Sequence, residues 1–156
     1  MLAKLDRLYD LAMKRCFDKL QSPLLLLLRL LIGWQLFLTG KGKLQHIDRF
    51  TDFLTNLHIP MPAANAHFVA SLECVGGLLL LVGLASRLIC IPLTINFIVA
   101  YLTADKEAVF NFFKDQDAFI SAAPFIYLVV SLLILAFGPG VFSIDEVIRR
   151  MRRKAS

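Results

Sequence analysis

The amino-acid sequence predicts an all-α membrane protein: a four-transmembrane-helix bundle with an N-terminal amphipathic interfacial helix and a basic C-terminal amphipathic helix. Three observations predict it. Apolar residues make up 58% of the 156-residue chain and the mean hydropathy is +0.68, too apolar for an ordinary soluble domain. Those residues are gathered into four long runs. The cations cluster at the ends of the runs, with Arg149, Arg150, Arg152, Arg153 and Lys154 directly behind the last one.

The elements follow in order. Over residues 2–20, Leu2, Leu5, Tyr9, Ala12, Cys16, Phe17 and Leu20 recur at helical spacing, with Lys4, Arg7, Lys14, Arg15 and Lys19 around the other face. A helix of that kind lies in the membrane interface rather than crossing it. Ser22-Pro23 then punctuates the chain, because proline suits a helix start where its missing N–H costs nothing. Spans are expected at Pro23–Gly40, Ala64–Ala85, Leu88–Ala104 and Phe119–Phe137, each within or near the workable range of about 17–25 residues. Only Ser86 and Arg87 part the second span from the third, which forces a tight antiparallel hairpin. Ile47, Phe50, Leu54 and Leu57 mark a short amphipathic helix between spans one and two, and Val109, Phe112 and Phe113 a second patch between spans three and four. The domain reading is an interfacial helix over 1–21, a four-helix membrane domain over 22–145 and a basic tail over 146–156.

Net charge of +5 could suggest nucleic acid as a partner, but the placement of the cations argues against it. A basic cluster behind an apolar run suits an anionic membrane surface. Eleven Lys and Arg fall on the side of both termini and the Arg87 turn, against five on the other side, so both termini are expected in the cytoplasm of an inner-membrane protein. No cleavable leader is expected, since residues 1–20 lack a continuous apolar stretch. Cys16, Cys74 and Cys90 form no C-x-x-C pair and read as small buried hydrophobes. His46, His58 and His67 sit on the external side at spacings that match no compact metal motif, so no metal is expected. Walker loops, dinucleotide fingerprints and nucleophile elbows are absent from the sequence.

Glu73 is the residue to explain. A charge deep in hydrocarbon costs at least ~2.5–3.5 kcal/mol on insertion scales, so it must face the protein interior and find a partner, or remain protonated. Gly76, Gly77 and Gly83 lie near its helix face, where small residues let another helix approach closely. The available cations on the first helix are Arg29 near the cytoplasmic side and Lys41 and Lys43 at the external end. Arg29 is the favoured partner, because a cation that deep needs compensation too. Asn96, mid-span in the third helix, could extend the network. Trp34 could pack or stack on a ring, and Gln35, Ser71, Tyr101, Ser121, Tyr127 and Ser131 read as interhelical glue.

Taken in order, these residues resemble the DoxX family of small four-helix membrane proteins. The resemblance rests on Leu28-Arg29-Leu30, Gly33, Phe37, Gly40 and Lys43 in the first span, then Phe50, Leu54 and Pro60. It continues through Glu73-Cys74-Val75-Gly76-Gly77 to Gly83 and Arg87, and closes with Gly138-Pro139-Gly140-Val141-Phe142-Ser143-Ile144-Asp145. It covers about Leu24 to Asp145. His58 stands where a glycine is common two residues before the proline, and Asp117 where a glutamate is frequent. Ser143 reads as an N-cap, with Asp145 and Glu146 in the first turn of a final helix.

The resemblance implies a redox-linked membrane subunit, associated with quinone or thiol chemistry, in which Arg29, Glu73, Asn96 and Lys43 form an intramembrane polar site. Quinone is the cofactor it suggests, and electrons would have to come from a cofactor or a partner. More distant eukaryotic relatives act as assembly or trafficking factors, so the rival expectation is a non-enzymatic membrane factor whose charges are structural. Beyond the lipid bilayer, the expected partners are a protein in a membrane complex and a second copy of the chain.

Overall fold

A computed structural model describes the backbone of residues 2–155 and the side chains of residues 20–154. The helices are α1 (Leu2–Gln45), α2 (Ile47–Asn56), α3 (Pro62–Val82), α4 (Ser86–Thr103), α5 (Lys106–Phe110), α6 (Gln116–Ser121), α7 (Pro124–Phe137) and α8 (Ile144–Ala155). No strand occurs among the described residues. Three helical stretches are long and apolar enough to cross a bilayer: Leu20–Gln45 within α1, then α3 and α4.

Several boundaries differ from the sequence expectation. The helix expected to begin at Pro23 instead runs unbroken through it. Pro23 removes one i→i−4 bond, leaving the Lys19 carbonyl without its donor, and one such loss does not end a helix whose next turns are packed. The polar and apolar faces expected over residues 2–19 lie outside the described side chains. The fourth apolar run, expected to be continuous from Phe119, is divided. Ala122 is extended, with φ −60° and ψ 136°, and Pro124 opens a new helix. Without an N–H, Pro124 cannot bond back to Ile120, so α6 stops and α7 restarts. At 14 residues α7 is about 21 Å long, short of the roughly 30 Å hydrocarbon core.

The α3–α4 hairpin turns on Gly83-Leu84-Ala85, one step earlier than Ser86-Arg87. Gly83 and Ala85 are both left-handed, with φ of 72° and 48°. The N–H groups of Gly83 and Leu84 return to the Leu79 carbonyl at 2.9 and 3.0 Å, which closes the helix end. Gly83 is therefore a helix stop as well as a packing residue.

A similar stop ends α2. His58 has φ 57°, its N–H donates to Thr55, and the next N–H, of Ile59, donates to Leu54 at 3.1 Å. This is the left-handed cap position that glycine fills at least cost. His58→Gly should therefore stabilise the protein by about 1 kcal/mol, read as a raised midpoint of thermal unfolding. An unchanged or lowered midpoint would show that the His58 side chain contributes something its backbone does not reveal.

α1 packs along α3, α3 along α4, and α4 along α7, while α2 covers the start of α3. The α1–α3 seam is backbone on backbone. A Cβ at Gly77 would stand 2.5 Å from the Phe37 nitrogen and 2.6 Å from the Gly33 oxygen, and one at Gly40 would run into the Ala70–Cys74 backbone. Gly76 faces the other way, onto Leu93 of α4. Ile32, Leu36, Leu80, Cys90, Leu93, Phe97, Val130 and Ile134 form the core between these helices. Outward positions are apolar as well: Leu27, Leu31 and Leu38 on α1, and Ile91, Ile95 and Leu102 on α4, are exposed. Such a surface suits hydrocarbon and not water.

Candidate functional site

The close α1–α3 seam brings the last turn of α1 beside the middle of α3. There Lys43 Nζ donates to both carboxylate oxygens of Glu73, each at 2.7 Å. Glu73 is 4% exposed, and the Lys43 side chain 26%. From α4, Asn96 Nδ2 approaches Glu73 Oε1 at 3.4 Å. Lys43 Nζ also stands 4.7 Å from the centroid of the Phe50 ring on α2, within cation–π range. Three of the four sequence-predicted site residues therefore meet at one point.

The fourth does not. Arg29, the favoured partner of Glu73, is 1% exposed and bound elsewhere. Its Nε donates to the Leu80 carbonyl at 2.9 Å, and Nη1 to those of Pro139 and Phe142 at 2.6 and 3.1 Å. Nη2 reaches the Leu81 carbonyl at 3.4 Å. Leu80 and Leu81 belong to the last turn of α3, where the Leu80 carbonyl has only the Gly83 N–H at 3.2 Å as a backbone donor and where the helix dipole favours a cation. The antiparallel register explains the correction: Gly33 faces Gly77 and Gly40 faces Cys74, which sets Arg29 against the end of α3 and Lys43 against its middle. Asp145 completes this second polar centre. Its carboxylate accepts the N–H groups of Ala85 and Ser86 at 2.7 and 2.9 Å, so it caps α4. Ser143 caps α8 as expected, accepting from the Glu146 N–H at 3.2 Å. The Glu146 carboxyl is held below its ordinary range, first by its hydrogen bond with Arg150 and further by Arg149.

A cavity of about 340 Å³ opens on the Lys43–Glu73–Asn96 cluster, within the size range of small-molecule sites. Phe50, Phe53 and Leu54 of α2 form one wall, and Val99 and Ala100 of α4 another. Helical spacing explains the remaining lining. Asn65, Val69 and Glu73 lie four residues apart on α3, and Asn96, Ala100 and Thr103 share one face of α4. Asn65 escaped the sequence reading, although its eight-residue spacing from Glu73 was a usable signal. Its Nδ2 donates to the Pro60 carbonyl at 2.6 Å. Among the described residues, the side-chain oxygens of Asn65 and Asn96 have no donor. The cavity thus offers an ammonium, a carboxylate and two amide oxygens against apolar walls, with no thiol among its lining residues.

The other candidates lie apart. Trp34 points outward beside Phe37. Tyr101 donates to the Phe119 carbonyl at 2.8 Å, and Tyr127 stacks on Phe97. His46, His58 and His67 are exposed, and no metal-sized group of three His, Cys, Asp or Glu occurs among the described residues.

Comparison with known proteins matches residues 24–106 to the model of the DoxX family. A Bacillus subtilis protein named "Putative oxidoreductase CatD" is 28% identical over 117 residues, covering 75% of this chain and 86% of the relative. An uncharacterized protein of Haemophilus influenzae is 27% identical over 131 residues, covering 81% of this chain and 84% of its own length. No solved structure matches.

Proposed function

The chain belongs to the DoxX family, and from that premise we propose that it is a redox-linked inner-membrane subunit that binds a quinone-like ring beside Glu73. One observation carries the reading. A cavity with aromatic and aliphatic walls has a single buried ion pair at its floor, and intramembrane ionisable groups commonly mark ligand or proton sites. A planar carbonyl compound would accept a hydrogen bond from the remaining N–H of the Lys43 ammonium, with its ring between Phe50 and Val99. Electrons come from a cofactor or partner, since the lining side chains supply none. The oxidoreductase name of the Bacillus relative points the same way. In this reading α6 and α7 together complete a fourth span, α2 and α8 rest at opposite interfaces, and both termini are cytoplasmic, as the eleven-to-five split of cations favours.

The test is equilibrium binding of a short-chain quinone to the purified protein in nanodiscs. Wild type should bind saturably, and Glu73→Gln should weaken binding about tenfold, because the Lys43 ammonium loses the carboxylate that holds it at the cavity. Equal affinity in a well-folded Glu73→Gln protein would remove Glu73 from the site.

A second reading is favoured by the completeness of the pairing. Lys43 and Glu73 satisfy each other, and Arg29 is spent on backbone carbonyls, as in a protein whose charges only hold its helices. In that case the protein is an assembly or partner-binding factor, as a member of a membrane complex or as a homo-oligomer. A stable Glu73→Gln protein would then still complement a deletion strain.

A further inference from the structure

We propose that the groove where α8 meets the start of α4 binds an anionic phospholipid. This groove, about 520 Å³, lies at the Arg29–Asp145 end, away from the Glu73 cavity, between α1, the α3–α4 turn, the Gly138–Gly140 loop and α8. Its lining combines two chemistries. Arg87 and Arg149 line it beside Gln21 and Ser22. Leu88 and Phe137 line it too, 70% and 59% exposed. They continue onto the outer faces of α4 and α7, where Ile91, Ile95 and Leu132 are exposed. The matching ligand has an anionic head joined to hydrocarbon.

Two acids, Asp145 and Glu146, also line the groove, and they offset its cations only in part. Both oxygens of Asp145 accept N–H groups of the α3–α4 turn, and Glu146 is shared by Arg149 and Arg150, which leaves Arg87 as the lining cation with no acid partner among the described residues. Arg87 is exposed, and its Nη2 donates only to the neutral Ala136 carbonyl at 3.2 Å. Gly138 leaves the room it needs, since a Cβ there would stand 3.3 Å from the guanidinium. Arg152, Arg153 and Lys154 extend the positive surface along the next turn of α8. Ile144, Val147 and Met151 form an exposed apolar stripe on that helix, which lays its cations at headgroup level. A free phosphate shares the head chemistry but gains nothing from Leu88 and Phe137, so a lipid is the ligand this groove fits.

Native mass spectrometry of the full chain, with phosphatidylglycerol or phosphatidylcholine at equal concentration, tests the proposal. Phosphatidylglycerol should be retained about tenfold more, the effect of one to two arginine contacts, and excess inorganic phosphate should not displace it. Arg87→Gln/Arg149→Gln should lose the preference while keeping the wild-type unfolding midpoint. Equal retention of the two lipids by wild type, ready displacement by inorganic phosphate, or an unchanged preference in the folded double variant would each overturn it. The wild-type comparison decides the matter even if the double variant fails to fold.

Discussion

Arg29→Met should lower the unfolding free energy by at least about 3 kcal/mol. The methionine fills much of the volume but donates nothing. The carbonyls of Leu81, Pro139 and Phe142 would then lose their guanidinium donor, while that of Leu80 would keep only the Gly83 N–H. Each orphaned acceptor in a dry site costs about 1–3 kcal/mol, offset in part because the arginine no longer needs desolvation. The damage should spread beyond α1, since this one side chain ties the end of α3 to the loop that leads into α8. Arg29→Lys should recover only part of the loss, because an ammonium is a point donor and cannot fork across two segments. Fluorescence-detected thermal unfolding in detergent is the measurement. A midpoint within a degree of wild type for Arg29→Met would show that water replaces the guanidinium and that the clasp is dispensable.

The contrast between Arg29 and Glu73 shows what the sequence could disclose. Apolar runs announce spans because hydrocarbon imposes length and composition directly, and α3 and α4 lie close to where the pattern placed them. Glu73 announced itself by the same rule, as the one acid where none is cheap. Gly77 announced a close seam, which the structure supplies with Gly33 as its counterpart. The partner of Arg29 was illegible for a physical reason: its acceptors are backbone carbonyls, which every residue carries, up to 113 positions away. Asp145 misled in a similar way. Its place in the first turn of α8 suggested a dipole role there, yet its carboxylate caps α4, across a turn that sequence alone had set at Ser86-Arg87. The register of α1 on α3 decides these pairings, and register follows from the fit of glycines in three dimensions.

Lys43 and Glu73 should show strong coupling in a double-mutant cycle, and the pattern of single losses should be unequal. Lys43→Met strands a carboxylate that is 4% exposed, which should cost about 3–5 kcal/mol, the range for breaking a buried pair. Glu73→Leu strands an ammonium whose side chain is 26% exposed and whose long stem can swing toward water, so its cost should be smaller, about 1–3 kcal/mol. The double variant Lys43→Met/Glu73→Leu removes both charges and fills the space with hydrocarbon. It should recover most of the stability, as apolar replacements of buried pairs often do. Thermal unfolding of the four proteins gives the coupling, and losses that simply add would show that the two charges do not depend on each other. The same double variant separates the two functional readings. If the pair only fixes helix register, a stable apolar replacement should still complement a deletion strain. If the pair holds a ligand, that protein should fold, insert and fail to bind a quinone, because what was removed is the polar floor of the cavity and not the walls around it.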